Sequence, residues 1–216
     1  MATAKKKRKA DFSMNFTKLK EIERENKKDL ILNAAEKIFT EMPFDRVTMR
    51  HIAREVGITA TAIYRYFPDK QSLFGEIYAR SNNRLLSKVR EITDSNQDFS
   101  LEEITLAIID HYFLELEEQN LKLRTHLLID DTLSEEVLGI VTESFRELLI
   151  EIGKYFSRFN HNNDTRLLAR MYIASLIGYL ITFKNNPTNN HDEAVKHMKR
   201  FGKKLSGMYE AQIVLR

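Results

Sequence analysis

Only seven glycines and three prolines interrupt this chain of 216 residues. These two residues most disfavour a helix interior, so their scarcity leaves long segments free to be helical. Within the segments, apolar residues recur every three or four positions, which is the spacing of one face of an α-helix, and strand-like alternation is missing. The sequence therefore predicts an all-α fold of about nine helices, over 25–42, 49–56, 60–67, 70–92, 101–118, 121–129, 135–159, 165–183 and 193–213.

Side chains that accept backbone hydrogen bonds stand before several of these segments. Such residues fix where a helix begins, because they satisfy the first unpaired N–H groups. Ser100 is followed three residues later by Glu103, which is the spacing of a capping box. The other predicted caps are Thr48, Asp69, Ser134 and Asp164.

The composition excludes several classes of function. The chain has no cysteine, so it holds no disulfide, thiolate metal site or cysteine nucleophile. It has no glycine-rich phosphate loop and no apolar run of the roughly 18–20 residues that a membrane span needs. We therefore expect a cytoplasmic protein that is not an enzyme and binds neither a cofactor nor a metal.

Positive charge is concentrated in the first half of the sequence. Residues 1–95 carry a net charge of +7, whereas residues 96–216 carry −4. A basic half indicates a polyanionic partner, of which nucleic acid is the commonest, and a solvated basic face is the alternative. Five consecutive cations, Lys5 to Lys9, lie in a segment, 1–24, that we expect to be a disordered arm. The arm is a nuclear-import-like signal, a DNA-binding arm or a solubilising tail.

The segment from Thr48 to Phe67 has the dimensions of a helix-turn-helix. Ala53 is small enough for two helices to cross, Gly57 tolerates a turn with positive φ, and Ile58 follows as a core plug. The second helix leaves a face of low bulk that can enter a major groove, formed by Thr59, Ala60, Thr61 and Arg65. Tyr64, Tyr66 and Lys70 are placed to contact phosphates. The alternative is a helical hairpin whose aromatic residues fill a core.

The string "VTMRHIAREVGITATAIYRYFPDKQSLF" closely resembles the DNA-binding segment of the TetR family of bacterial transcriptional regulators. The matching positions are Thr48, Ile52, Ala53, Val56, Gly57, Ile63, Tyr64, Tyr66, Phe67, Lys70 and Leu73, and the resemblance covers residues 29–78. It implies phosphate contacts from Thr48, Arg50, Tyr64, Tyr66 and Lys70, and base contacts from Thr59, Ala60, Thr61 and Arg65. Arg65 is the candidate for guanine, whose O6 and N7 a guanidinium can bind as a fork; a phosphate contact is the alternative.

The resemblance implies a helix-turn-helix domain over 25–74 and a domain over 75–216 that binds a small-molecule inducer and forms a homodimer through its last two helices. The segment 166–183 is apolar around most of its circumference, which favours such a role. Its small residues Ala169, Ala174, Ser175 and Gly178 allow close approach of another helix. The last helix carries an apolar stripe, Ala194, Val195, Met198, Phe201, Leu205 and Met208. Burial within the monomer is the alternative for both helices.

Candidate ligand-binding residues are few, and each has an ordinary structural alternative. They are His111, Tyr112, His126, Phe145, Tyr155 and Tyr172, and aromatic residues at helical spacing are more often plain core. His111 with Glu115, and His126 with Asp130, are four residues apart, but a metal site needs three or more converging ligands. We interpret both histidines as surface or hydrogen-bonding residues, and a group that binds a metal or orients a polar ligand is the alternative.

These observations predict a dimeric DNA-binding regulator. In the first version it is a repressor that binds a palindromic DNA operator and is released by an apolar or amphipathic ligand, with the fourth helix carrying the change between the domains. The alternative is a ligand-independent dimer with an architectural or protein-recruiting role on DNA.

Overall fold

A computed structural model describes residues 2–95, 98–112, 133–159, 165–183 and 191–214. Over these ranges the chain is all-helical, as predicted. Its helices are α1 (Ala2–Glu41), α2 (Met49–Val56), α3 (Ala60–Ile63), α4 (Lys70–Ser95), α5 (Leu101–Asp110), α6 (Glu135–Ser157), α7 (Thr165–Phe183) and α8 (His191–Val214), and a short 3₁₀ turn spans Phe44–Arg46. The helix predicted over 121–129 lies outside the described residues. None of the described helices is both long and apolar enough to span a membrane.

The predicted caps explain where the helices begin. The Ser100 hydroxyl accepts from the Glu103 amide at 3.2 Å, and the Glu103 carboxylate accepts from the Ser100 amide at 2.7 Å, which confirms the capping box. Ser134 caps α6 in the same way through the Val137 amide at 3.3 Å. Before α4, the Asp69 carboxylate accepts from the Ser72 amide at 2.6 Å. Asp164 lies outside the described residues.

The first helix begins at Ala2, whereas the sequence predicts a start near Glu25 after a disordered arm over 1–24. The physical reason is the cooperativity of helix formation. The packed part of α1 provides the costly nucleus, and each further turn then needs only residues that tolerate a helix. The segment before it contains no glycine or proline and is rich in lysine, which has a high helix propensity. The helix therefore continues toward the N-terminus without burying the described side chains of residues 17–27, all of which are exposed.

The chain divides into two compact units, Met1–Leu73 and Phe74–Arg216. In the first unit, the second half of α1 packs against α2, and α2 packs against α3. Helix α3 ends at Ile63 and residues 64–66 form a turn, so this helix is shorter than the predicted one over 60–67; we call residues 60–67 the α3 segment. The buried residues of the first unit include Ile31, Leu32, Ala35, Ile38, Phe39, Ile52, Ala53, Ile63 and Phe67. In the second unit, α4 to α8 share one apolar core, which includes Leu85, Ile104, Ile108, Leu148, Ile152, Phe156, Tyr172 and Leu176.

Helices α4 and α6 make contacts at equal intervals along their length. Gly75 lies so close to Val137 that an added Cβ would be 2.9 Å from Val137 Cγ1. Seven residues further along both helices, the Asn82 amide donates to the Ser144 hydroxyl at 3.1 Å. Because the two contacts advance by the same number of residues in the same direction, α4 and α6 run parallel with a fixed register.

A buried carboxylate joins the same two helices near the C-terminal end of α4. The Glu151 side chain is 1% exposed and accepts from Arg90 Nε at 3.3 Å and from the Thr93 hydroxyl at 2.9 Å, while Lys154 lies 2.9 Å away. Burial by itself would raise the pKa of Glu151, but hydrogen bonds from Lys154, Thr93 and Arg90 outweigh it and hold the pKa below its usual value. Glu151 therefore stays ionised and fixes this end of α4 to α6.

Candidate nucleic-acid interface

Helices α2 and α3 meet through a glycine turn. Gly57 has φ 77° and ψ 28°, which is the left-handed conformation. The Ile58 amide donates to the Ala53 carbonyl at 2.9 Å, and the Gly57 amide donates to the Arg54 carbonyl at 3.2 Å, the paired bonds of a Schellman motif. Ala53 is 2% exposed at the helix crossing. The turn predicted at Gly57 and the small residue predicted at the crossing are both confirmed.

Replacing Gly57 with alanine should destabilise this domain by about 1 kcal/mol, because a Cβ disfavours the left-handed conformation. The loss comes from the backbone alone, since an added Cβ would meet nothing within 4 Å among the described atoms. Amide hydrogen exchange in α2, with α6 as an internal reference, measures the change. Gly57→Asn should destabilise the domain less than Gly57→Ala, because asparagine tolerates the left-handed conformation better than alanine. Equal exchange rates in the wild type and the alanine variant would contradict the explanation.

The α3 segment separates a buried face from an accessible one. Ile63 and Phe67 are at most 1% exposed and hold the segment against α2 and α1. Thr61, Tyr64 and Arg65 are exposed, with Tyr64 at 52%. A side chain with half of its surface in solvent does not fill a core, so Tyr64 is available to a partner outside the domain. The hairpin whose aromatic residues all fill a core is therefore not what forms.

Two of the candidate threonines already act within the protein. The Thr48 hydroxyl accepts from the His51 amide at 3.3 Å, and the Thr59 hydroxyl accepts from the Ala62 amide at 3.2 Å. Both are exposed. Each hydroxyl can still donate its own proton, so Thr48 and Thr59 could cap a helix and contact DNA at once. The arrangement fixes where each hydroxyl points before any DNA arrives.

Lys70 lies at the first residue of α4 and is half-buried. Burial lowers the pKa of its ammonium group, and the Asp45 carboxylate only partly opposes this. A cation at a helix N-terminus also faces the positive end of the helix dipole. A phosphate beside Lys70 would relieve both penalties. The neighbouring Asp69 carboxylate occupies the Ser72 amide, so that amide is not available to the phosphate.

The other candidate residues are accessible to different degrees. Arg50 is exposed on α2, whereas Ala60 and Tyr66 are half-buried. All nine candidates for DNA contact therefore keep some accessible surface in the first compact unit.

The candidate ligand-binding residues that the structure describes lie in or against the core of the second unit. Tyr112, Tyr155 and Tyr172 are at most 4% exposed, and Phe145 packs against the same core. Tyr155 and Tyr172 both contact the ring of Phe156, at 5.6 and 6.1 Å between centroids. Their hydroxyls have partners: Tyr155 donates to Glu210 at 2.8 Å, and Tyr172 bonds to Thr105. Burial raises the pKa of both tyrosines, and Glu210 adds to the effect at Tyr155.

His111 is fully buried, and its Nε2 lies 3.1 Å from the Ser81 hydroxyl on α4. This contact agrees with its interpretation as a hydrogen-bonding histidine. Glu115, His126 and Asp130 lie outside the described residues.

One face of α7 exposes a stripe of apolar and small residues. The α7 stripe consists of Leu167, Met171, Ala174, Gly178 and Ile181, which follow one another at steps of three and four. Leu167 and Met171 are 51% and 50% exposed, and Ile181 is 40% exposed. Ser175, beside the stripe, is also exposed, whereas Ala169 is buried in the monomer and cannot serve a helix–helix contact between subunits. Of the stripe predicted on α8, Met198 and Leu205 are buried in the monomer core and Met208 is 62% exposed.

Sequence reasoning missed some partners within the interface. His51 Nδ1 accepts from the Thr48 amide at 3.4 Å, so a histidine completes the capping box that glutamate usually completes. The ammonium of Lys28 lies 5.7 Å from the centre of the Phe67 ring. The three-residue spacing from Thr48 could have pointed to His51. No local signal connects Lys28 to Phe67, because they are far apart in the chain.

Residues 31–77 match the family model of the bacterial regulatory proteins, tetR family. The match contains α2, α3 and all nine candidate residues for DNA contact. Among curated proteins, the nucleoid occlusion factor SlmA of Vibrio campbellii is 27% identical over 187 residues, which cover 78% of this chain and 91% of that protein. SlmA of Shewanella frigidimarina is 25% identical over 181 residues, which cover 78% of this chain and 90% of that protein.

Solved structures share the fold over most of the chain. A tetR-family transcriptional regulator from Streptomyces coelicolor superposes with a TM-score of 0.65 at 17% identity, covering 87% of this chain and 83% of that one. The fatty acid degradation regulator FadR from Bacillus halodurans superposes with a TM-score of 0.58 at 19% identity, covering 83% of this chain and 98% of that one. Together with the family model over residues 31–77, these matches confirm the expected all-helical fold with an N-terminal helix-turn-helix domain.

Proposed function

We propose that this chain, a DNA-binding regulator of the TetR family, binds a palindromic operator as a homodimer and represses transcription until a small molecule releases it. The observation that carries the operator contact is the accessible face of the α3 segment, where Thr61, Tyr64 and Arg65 are exposed while Ile63 and Phe67 hold the segment in place. A helix enters the major groove only if its outer residues are short or can extend into hydrogen bonds with base edges.

The candidate residues divide by chemistry into base contacts and phosphate contacts. Arg65 is exposed and can bind guanine O6 and N7 as a fork. Ala60 and the methyl groups of Thr59 and Thr61 suit the methyl group of thymine. Tyr64, Tyr66, Lys70, Thr48 and Arg50 would donate to phosphates on both sides of the groove, which fixes the register of the domain on the duplex.

The α7 stripe supports a homodimer. Apolar and small residues repeated at steps of three and four form the surface that another helix covers in a four-helix arrangement. Gly178 and Ala174 would let the two α7 helices approach closely, and Met208 on α8 would extend the surface. Dimer formation is typical of the family, and a twofold dimer presents two α3 segments to two inverted half-sites.

The inducer site is proposed in the second unit, around His111, Tyr112, Phe145, Tyr155 and Tyr172. A ligand there would have to displace contacts that these residues make within the core, such as those of Tyr155 with Glu210 and of Tyr172 with Thr105, so its binding would favour a different helix arrangement. Helix α4 runs without interruption from Lys70 to Ser95 and is fixed to α6 at Glu151. A ligand that shifts α4 could therefore change the position of Lys70, and with it the spacing of the two recognition segments.

A second candidate function is a ligand-independent dimer with an architectural or protein-recruiting role on DNA. Two observations favour it: the curated relatives above are named nucleoid occlusion factors, and the hydroxyls of Tyr155 and Tyr172 are occupied inside the core. Both functions place the protein in the cytoplasm with the chromosome, and both use the same DNA interface.

Selection of duplexes from a random-sequence pool by the purified protein tests the DNA proposal. We expect one motif made of two inverted half-sites whose centres lie one helical turn apart or a multiple of it. Enrichment of no motif would contradict operator binding. Mapping of occupied sites in the source cell then separates the two candidates: a few promoter sites support the repressor, and many sites dispersed along the chromosome support the architectural role.

A further inference from the structure

The first half of α1 does not take part in the core of the DNA-binding domain. The described side chains of residues 17–27 are all exposed, and the first buried residue of the helix is Ile31. The family match also begins at residue 31. Residues 2–28, which we call the N-terminal extension, are thus a helical addition to a domain that is already complete.

The extension holds all of the net charge of the first unit. It contains ten Lys or Arg and four Asp or Glu, whereas residues 29–73 contain six of each. The helix-turn-helix domain proper is therefore neutral in sum. Attraction between cations and phosphates supplies almost all non-specific affinity for DNA, and a domain without net positive charge has only its local cations, such as Arg50 and Lys70, to provide it. The extension can supply the net positive charge that the domain lacks.

The cations are densest at the end of the extension that is farthest from the domain. Lys5, Lys6, Lys7, Arg8 and Lys9 follow one another, and the first acidic residue is Asp11. Closer to the domain, Lys and Arg alternate with Glu, and Arg24 lies 4.0 Å from Glu21. Because a helix rises about 1.5 Å per residue, the run 5–9 lies about 30 Å along α1 from Lys28.

The extension leaves the domain beside the proposed phosphate contacts. Its last residue, Lys28, has its ammonium 5.7 Å from the ring of Phe67, which lies between Tyr66 and Lys70 in the chain. The helix therefore emerges at the edge of the domain where Tyr66 and Lys70 would hold the DNA backbone. A distance of about 30 Å from that edge is close to one turn of duplex, about 34 Å.

We propose that the N-terminal extension is a second DNA-binding surface, a helical arm whose run 5–9 contacts phosphates of the duplex about one turn outside the half-site. The inference rests on the proposed operator binding. The contact is electrostatic and independent of sequence, and a dimer would place one arm on each flank. It adds affinity and salt dependence, but it adds no base preference.

Substitution of the run by glutamine tests the arm. The variant K5Q, K6Q, K7Q, R8Q and K9Q keeps the helix, because glutamine and lysine have similar helix propensities. Two probes are compared: the selected operator trimmed to its half-sites, and the same operator with about 15 bp added on each side, one and a half turns of duplex. We expect the variant to bind the trimmed operator as the wild type does, and to bind the flanked operator at least tenfold more weakly with a shallower salt dependence, by about 0.9 for each lost phosphate contact.

Two further variants test whether the charge of the extension causes the change in affinity. The arginine version of the run, in which Lys5, Lys6, Lys7 and Lys9 become arginine, keeps the charge and should behave as the wild type on both probes. The variant E21Q with E23Q removes acidic residues from the same helix and should tighten binding to the flanked operator only. Loss of affinity in the arginine version would show that the lysines act by something other than charge, and would overturn the proposal.

Other results would assign a different role to the extension. Equal affinities of the glutamine variant and the wild type for the flanked operator would make the run a solubilising tail. If that variant lost binding to vesicles of anionic lipid while binding both duplexes normally, the extension would be a membrane ligand and not a DNA arm. Failure of operator binding itself is recognised separately, because the wild type would then bind neither probe more tightly than random DNA.

Discussion

Replacing Ala174 with glutamate should convert the proposed homodimer into monomers and abolish tight operator binding. Ala174 lies at the centre of the α7 stripe and is exposed in the single chain, so the monomer can accommodate a larger side chain. In a twofold dimer the same position faces its own copy or nearby residues of the partner, and two unpaired carboxylates would then be buried together. An unpaired buried charge costs several kcal/mol, which corresponds to a dimer at least about 100-fold weaker.

Light scattering after size-exclusion chromatography measures the oligomeric state, and a gel shift on the selected operator measures binding. We expect monomeric mass and an operator affinity reduced to that for random DNA, because a monomer engages one half-site at a time. Ser87→Glu is the matched control: it places the same charge at an exposed position of α4 in the same unit and should leave the dimer intact. A dimeric Ala174→Glu protein with normal operator affinity would show that the α7 stripe is not the interface.

The elements that the sequence predicts well are those determined by neighbours in the chain. Ser100 and Glu103 define the start of α5 between them, and Gly57 ends α2 because its own backbone can adopt positive φ. Such signals need no knowledge of the tertiary fold. The start of α1 is different, since no cap or breaker marks it. The helix continues because no residue in this segment breaks a helix. The high charge and polarity of residues 1–24 lead to the prediction of disorder, but these properties do not prevent a helix.

Residues that depend on distant partners could not be assigned from the sequence. The pattern of α7 shows apolar residues on most of its circumference, but only the packed structure separates Ala169, which is buried, from Ala174 and Gly178, which are exposed. Tyr172 bonds to Thr105, and Tyr155 bonds to Glu210, across long stretches of chain. No local spacing reports such pairs. The family motif predicts the DNA-contact candidates without such pairs, because these candidates all lie within one short segment of the chain.

Arg65→Ala and Lys70→Ala should weaken operator binding in two distinguishable ways. Arg65 is exposed on the outer face of the α3 segment and is the proposed guanine contact. Its removal should cost about 1–3 kcal/mol on the selected operator, roughly a 5- to 150-fold loss, and should relax the base preference at one position of each half-site. Binding to random DNA should change little. Lys70 is a proposed phosphate contact, so its removal should weaken binding to both kinds of DNA and reduce the salt dependence.

A repeated selection from the random pool with each variant, together with salt titrations on operator and random DNA, makes the comparison. Lys70→Arg is the control for charge and should retain most of the affinity for both kinds of DNA. Arg65→Lys is the control for shape, because an ammonium keeps the charge but cannot bind O6 and N7 as a fork. If Arg65→Lys keeps the operator affinity of the wild type, then Arg65 contacts a phosphate. The same conclusion follows if Arg65→Ala lowers the affinities for operator and random DNA by the same factor. The base preference of α3 would in that case come from Thr59, Ala60 and Thr61 alone, whose methyl groups distinguish thymine from the other bases but cannot identify guanine.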